Sequence, residues 1–207
     1  MLCYPLSISA QLNISVVAGV NISQIKPSNS HTNGIDFTPR FSGHLGGTAD
    51  LGISKHSLFR FGAIYCSRGS TATSSSGFPI MTPERSKVRL DFLEIPALYV
   101  RHSRGFEIFV GPQYAHLLLA RLNSRGGSEN IKPFMEKSVF DLRGGFGITP
   151  RNLGFQLTYI RAMSSAYDGG YYASWNNNAL CVSLTYRVIE GKRSHYGNTS
   201  IPHRTFE

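Results

Sequence analysis

Residues 89–122 read RLDFLEIPALYVRHSRGFEIFVGPQYAHLLLARL, and they contain two long apolar segments joined by the short turn HSRG. Three carboxylates, Asp91, Glu94 and Glu107, interrupt these segments. Because successive side chains of a β-strand point to opposite faces, such segments need two different environments. The apolar residues also change phase near Leu93, which predicts a β-bulge there. The stretch therefore predicts a hairpin with one apolar and one polar face.

The same two-faced alternation recurs in six further segments, so that eight strands are predicted in total. The six lie at residues 12–21, 41–54, 58–68, 139–149, 153–161 and 179–188. A content of 21 glycines, 12% aromatic and only 16% charged residues also favours an all-β chain. The absence of a run of about 18 apolar residues argues against a transmembrane helix. Alternation by itself fits either a membrane barrel with its apolar face toward lipid or a soluble, lipocalin-like carrier with that face inward.

The connections between the predicted strands alternate between long and short along the chain. Residues 22–40, 69–87, 123–138 and 162–178 form the long ones, and residues 55–57, 102–105 and 150–152 form the short ones. Outer-membrane barrels have short periplasmic turns and longer extracellular loops. The rhythm therefore predicts a closed, eight-stranded, antiparallel up-and-down transmembrane β-barrel with both termini in the periplasm.

The two ends of the chain differ in composition from the alternating region. Residues 1–10, MLCYPLSISA, are expected to be the remnant of a signal peptide that is cleaved after Ala10; an ordinary N-terminal strand is the alternative. Residues 11–188 are predicted to form the outer-membrane barrel. Residues 189–207 are polar and contain Pro202, which predicts a poorly ordered tail.

Several short motifs carry a resemblance to a known family. They are VAGVNIS at 17–23, LEIP at 93–96, GPQY at 111–114 followed by LLLA at 117–120, GGFG at 144–147 and LTYRV at 184–188. With these motifs the chain resembles the PorT-like outer-membrane β-barrel family of the Bacteroidota over residues 11–188. The resemblance implies an eight-stranded barrel in the bacterial outer membrane. Some relatives are linked to protein secretion, and the family supplies no catalytic residues.

The polar faces of the predicted strands carry charges that would point into the lumen. Buried charges need partners, and an eight-stranded barrel is just wide enough inside for side chains to fill it. We therefore expect a structural network of carboxylates and guanidinium groups that plugs the lumen, made of Glu94, Glu107, Asp141, Arg60, Arg143 and Arg187. A narrow, porin-like pore for small solutes is the alternative. The glycines of residues 144–147 are expected to make room for a large lumenal neighbour or to permit a bend.

The last long connection is the candidate site for a protein partner, because Tyr167, Tyr171, Tyr172 and Trp175 lie there among Gly and Asn residues. Packing of this loop on the rim of its own barrel is the alternative. The predicted role is structural, adhesive or secretion-accessory, through the extracellular loops.

The net charge of +9 raises the question of an anionic partner. Lys and Arg form no continuous basic helix or tract, so nucleic acid is not expected. The expected partners are outer-membrane lipid or lipopolysaccharide, and other proteins of the cell envelope. The three cysteines and seven histidines have no metal-site spacing, and no nucleophile motif occurs. We therefore predict no metal, no cofactor and no enzymatic activity.

Overall fold

The computed structural model describes residues 12–27, 35–74, 84–167 and 175–191. The expected signal-peptide remnant and most of the expected tail lie outside these residues. The strands are β1 Leu12–Pro27, β2 Ile35–Gly52, β3 Ser57–Ser74, β4 Glu84–Ser103, β5 Phe106–Ser124, β6 Gly127–Asn130, β7 Ser138–Ile148, β8 Leu153–Ala162 and β9 Trp175–Glu190. A single 3₁₀ turn, Lys132–Phe134, is the one helical element of the described chain. No helix in these ranges is long and apolar enough to cross a membrane.

Eight of the strands close into a ring. The order of hydrogen-bonded neighbours is β4-β3-β2-β1-β9-β8-β7-β5, and β4 also pairs with β5. All of these pairings are antiparallel, and closure leaves the ring no free edge. The predicted closed, eight-stranded antiparallel barrel is thus confirmed. The short β6 was not predicted, and it forms a hairpin on the end of β5.

The barrel wall is uneven in height. Strands β2 to β5 have 18 to 20 residues, whereas β7 and β8 have 11 and 10. A strand that spans a membrane needs about 9 to 11 residues, so the strands of the β2–β5 wall are longer than such a span requires. Most of the extra length lies at the end of the barrel with the long connections, here called the loop end. The opposite end, with the short turns and both ends of the described chain, is called the turn end. Strand β9 continues to Glu190 there.

The outer surface of the ring is apolar. Val20 and Ile108 are 59% and 58% exposed, and outward Leu, Ile, Val, Phe and Tyr side chains are similarly exposed on the other strands of the ring. Soluble monomers rarely expose contiguous apolar surface of this extent. The apolar face therefore points away from the lumen, which contradicts the lipocalin-like alternative.

The expected bulge in the hairpin is located in the neighbouring strand. The β4–β5 register shifts between Asp91 and Phe92, and the extra residue is Leu118 of β5. Strand β4 itself keeps its phase, because Leu90, Phe92 and Glu94 are all buried in the lumen. The expected phase change in β4 is therefore wrong. The inward residues of β4 change from charged at Glu94 to apolar at Phe92 and Leu90, nearer the loop end. This change in the lining of the lumen produces the apparent phase change in the sequence.

A close approach of strands inside the barrel explains one glycine of the GGFG motif. A Cβ atom at Gly145 would lie 2.8 Å from Cζ of Phe109 and 3.0 Å from Cα of Thr158. It would also collide with the carbonyl oxygen of Leu157. Gly145 thus leaves room for the Phe109 ring, as the sequence predicted.

Candidate functional site: the barrel lumen

A charged layer crosses the middle of the lumen. Arg68 of β3 donates from Nε to Oε1 of Glu94 at 2.8 Å, and its Nη2 also donates to this oxygen. Its Nη1 donates to Oδ2 of Asp141 at 2.9 Å. Glu94 also accepts from Nη1 of Arg143 at 3.3 Å, and that nitrogen donates to Gln113 at 3.0 Å. The two arginines and two carboxylates balance, and they join β3, β4 and β7, with β5 joined through Gln113. We call these four charged residues the middle layer.

A second charged group lies closer to the turn end. Arg60 donates from Nε and Nη2 to the two carboxylate oxygens of Asp50, at 2.7 and 3.0 Å. Its Nη1 and Nη2 donate to the two oxygens of Glu107, at 3.0 and 3.1 Å. Gln156 donates to Glu107 at 2.7 Å. Such two-pronged contacts fix a guanidinium group in position as well as in charge. We call Asp50, Arg60 and Glu107 the lower layer.

The six predicted lumenal charges therefore take three different positions. Glu94, Asp141 and Arg143 lie in the middle layer, whereas Arg60 and Glu107 lie in the lower layer. The sixth residue, Arg187, lies at the mouth of the turn end. Its side chain is 27% exposed and contacts Glu190 at 3.5 Å. It belongs to neither layer.

Two members of these layers, Arg68 and Asp50, were not among the predicted residues. Arg68 lies eight positions after Arg60 in β3, so the two side chains share a face. Asp50 belongs to the polar face of β2. The two-residue period could have identified both. Their partners could not be found in this way, because they come from strands distant in the sequence.

Above the middle layer the lumen becomes apolar toward the loop end. We call this group the loop-end cluster: Ile25, Val88, Leu90, Phe92, Ala115, Leu117, Ala120, Met135, Val139 and Ala166. The connection after β6 contributes Met135, which is 7% exposed. Backbone hydrogen bonds from Leu117 to Lys137 and from Glu136 to Ala166 hold this connection over the barrel. Loop residues therefore complete the cluster.

The predicted partner loop also contributes to the loop-end cluster. Tyr167 and Trp175 are half-buried and pack against the cluster, with ring centroids 5.1 Å apart. Trp175 also meets Phe37 edge-on at 5.9 Å. Tyr171 and Tyr172 lie outside the described residues. The structure thus places the two described aromatics of this loop on the rim of their own barrel.

At the turn end the lumen is an open polar cavity of about 350 Å³. The lower layer lies at its inner side, and Lys55, Arg151 and Arg187 line it together with Glu190. We call this space the turn-end cavity. It is the part of the described lumen that a small solute could enter.

The cysteines and histidines form no separate site in the ranges that the structure describes. Cys66 and Cys181 are buried and free. No three His, Cys, Asp or Glu side chains of the described residues could together hold a metal ion. Nε2 of His44 contacts Oγ of Ser183 at 2.8 Å, which joins β2 to β9 across β1.

The model of the outer membrane protein β-barrel domain family matches residues 8–168 of the chain. The chain belongs to this family. Outer-membrane barrels in general have short periplasmic turns and longer extracellular loops. By this rule the turn end faces the periplasm and the loop end faces the exterior. The protein is thus located in the bacterial outer membrane.

Solved structures of outer-membrane barrels are similar to this family member. Neisserial surface protein A is 13% identical with a TM-score of 0.51, over 84% of this chain and 96% of that one. Ail, the attachment invasion locus protein of Yersinia pestis, is 12% identical with a TM-score of 0.47, over 86% and 98%. OprG of Pseudomonas aeruginosa is 11% identical with a TM-score of 0.41, over 86% and 95%. At this identity the likeness to the neisserial protein concerns the fold. No curated protein sequence matches the chain.

Proposed function

We propose that the protein is a non-enzymatic outer-membrane barrel with a plugged lumen, and that it has a structural, adhesive or secretion-accessory role. The observation that carries this proposal is the position of Arg68. Its side chain is 1% exposed and is held between Glu94 on β4 and Asp141 on β7. A solute path through the middle layer would have to separate these ion pairs in a poorly hydrated interior.

The energetics favour a closed layer. Separation of one partner from a buried ion pair leaves an uncompensated charge and costs about 3–5 kcal/mol. The middle layer contains such pairs from Arg68 to two carboxylates and from Arg143 to Glu94. An eight-stranded barrel leaves little room for these side chains to move aside. The layer therefore supports a structural role of the lumen.

The loop-end cluster supports the same proposal from the other side. A hydrated ion that had passed the middle layer would next meet Leu90, Phe92 and Leu117, all of which are fully buried. Passage would require loss of its hydration shell among apolar side chains, which is costly for an ion. Two barriers of different chemistry thus lie in series.

Planar-bilayer recording of the purified, refolded protein tests the plugged lumen. We expect no stable channel openings from the wild-type protein. The matched control is R68A/F92A, which truncates one side chain in each barrier and should open a conducting path if it folds. Stable openings of the wild-type protein would refute the proposal.

The turn-end cavity favours a second candidate function, a narrow pore for small solutes. It gives a solute access to the lumen from the periplasm as far as the lower layer. The pore would additionally need both barriers to move. The same recording distinguishes the two functions, because a pore must conduct in its wild-type form.

We also propose that the protein is a PorT-like barrel of the Bacteroidota. The motifs that suggested this resemblance face each other across β4 and β5, where Ile95 pairs with Tyr114 and Pro96 with Gln113. Deletion of the gene should then lower the amount of secreted protein, whereas an adhesive role predicts weaker attachment of cells to surfaces. Both are measured in the deletion strain and in the complemented strain.

The domain organisation is part of the proposal as well. Residues 1–10 are proposed to be removed as a signal-peptide remnant. The barrel was expected to end at residue 188, but Ile189 and Glu190 still pair with β1 at the end of β9, so the tail is proposed to begin after Glu190. N-terminal sequencing of protein from isolated outer membranes should find Gln11 as the first residue. A mature protein that retains Met1 would contradict this.

A further inference from the structure

Three arginines form a row across the outer face of the tall wall, near the loop end. Arg89 on β4 lies directly opposite Gly69 on β3 and Arg121 on β5. Arg40 on β2 donates from Nη1 to the carbonyl oxygen of Arg68 at 3.0 Å. A Cβ atom at Gly69 would lie 3.4 Å from this Nη1, so the Arg40 guanidinium group lies beside that glycine. We call Arg40, Arg89 and Arg121 the basic row.

The basic row has an excess of positive charge. Asp91 pairs with Arg89, with both N···O distances at 2.9 Å. Arg40 and Arg121 form no salt bridge with any described residue. Lys87, exposed two positions from Arg89 on the same face of β4, adds a further cation. Like charges directly opposite each other destabilise a sheet, so the Arg89–Arg121 pair favours an anion between or above the two groups.

The height of the basic row matches the boundary between lipid and water. Nη2 of Arg89 lies 3.3 Å from the hydroxyl of Tyr65, whose side chain is exposed on the side toward the turn end. Ile95 and Leu118 continue the exposed apolar surface on the same wall, and Phe41 follows Arg40 directly and is 74% exposed. Aromatic side chains at the top of an apolar band mark the headgroup level of a membrane. The row therefore lies at the headgroups of the outer leaflet.

We propose that the basic row binds a phosphate group of lipopolysaccharide in the outer leaflet. Guanidinium groups bind phosphate oxygens through two parallel hydrogen bonds, and adjacent cations attract the anionic surface. The apolar side chains below the row would contact the acyl chains of the same molecule. This inference rests on the location of the protein in the outer membrane and does not depend on whether the lumen conducts.

Binding of lipid A to the refolded protein in nanodiscs, measured by native mass spectrometry, tests the proposal. Each cation near an anionic membrane surface contributes about fivefold to binding, so R40Q/R121Q should weaken the binding of phosphorylated lipid A by about 25-fold. The matched control is K137Q/R161Q, which removes two exposed cations that lie outside the basic row, at the loop ends of β7 and β8. It should bind lipid A as the wild-type protein does.

Two further arms identify the group that is recognised. Dephosphorylated lipid A should bind to the wild-type protein as weakly as phosphorylated lipid A binds to R40Q/R121Q. Inorganic phosphate at millimolar concentration should not displace phosphorylated lipid A, because it lacks the acyl chains. Displacement by free phosphate, unchanged binding by R40Q/R121Q, or an equal loss in K137Q/R161Q would each overturn the proposal. Unheated gel migration verifies that each variant is folded.

Discussion

Replacement of Glu94 by glutamine should unbalance the middle layer without changing its shape. Glu94 accepts two hydrogen bonds from Arg68 and one from Arg143, and its side chain is 1% exposed. E94Q keeps the length of the side chain but removes one of the two negative charges of the layer. The layer then has two arginines and a single carboxylate, Asp141, which pairs with Arg68 and not with Arg143.

The expected loss of stability follows from these three hydrogen bonds. A hydrogen bond with two charged partners contributes about 1 kcal/mol more than one with a neutral acceptor, which weakens the two bonds from Arg68. The amide nitrogen of the new side chain cannot accept the third bond, from Arg143, so E94Q should cost about 3 kcal/mol in total. This value agrees with the lower end of the cost of an unpaired buried charge. For an m-value of about 2 kcal/mol per M, the urea midpoint should fall by about 1.5 M.

Urea unfolding in lipid vesicles measures this change. Trp175 is the single tryptophan of the chain and packs against the loop-end cluster, so its fluorescence reports unfolding. E129Q is the matched control, because Glu129 is exposed on β6 and its replacement should change stability by less than about 0.5 kcal/mol.

A double-mutant cycle with R143M tests whether charge balance stabilises the middle layer. E94Q/R143M restores the balance of one arginine and one carboxylate, so it should be less destabilised than the sum of the single variants by about 1 kcal/mol or more. Additive effects within about 0.5 kcal/mol, or a negligible effect of E94Q alone, would show that charge balance does not stabilise the layer.

Three further outcomes follow from the packing of the barrel. G145A should destabilise the barrel by about 1–3 kcal/mol in the same urea assay, because its methyl group would collide with β8 and with the Phe109 ring. G126A is the control and should be neutral, because its methyl group would meet its nearest atom only at 3.8 Å. Emission from Trp175 should be blue-shifted and less quenched by acrylamide in the folded protein than in the unfolded one; equal quenching of the two states would contradict its packing. In a C3S variant, Cys66 and Cys181 should resist a thiol reagent until the barrel unfolds. Rapid labelling of the folded protein would show that the lumen is open beside these two cysteines.

The extent of the strands shows where sequence reasoning was less accurate. The polar ends of β2, β3 and β4 at the loop end lack the alternation of apolar residues, and they were predicted as loops. In the structure they are strands, because their backbone groups pair with neighbours in a closed ring. Pairing across the ring depends on neighbouring strands, and a single strand carries no signal of it.

The candidate site, too, was predicted from the sequence only in part. The inward face of Glu94, Glu107 and Asp141 followed from the two-residue period of their strands. The separation of the charges into a middle and a lower layer depends on strand register, which positions Arg68 beside Glu94 and Arg60 beside Glu107. The register shift at Leu118 lies in the same hairpin, and it was predicted in β4.

The sequence alone determined that this chain forms a two-faced, eight-stranded barrel in the outer membrane, because alternation and the rhythm of connections are local properties of the chain. Only the tertiary structure decided which charges meet, since partners such as Arg68 and Asp141 are far apart in sequence and come together when the ring closes. It also decided that the basic row forms, because three arginines from three strands align only through the register of the wall.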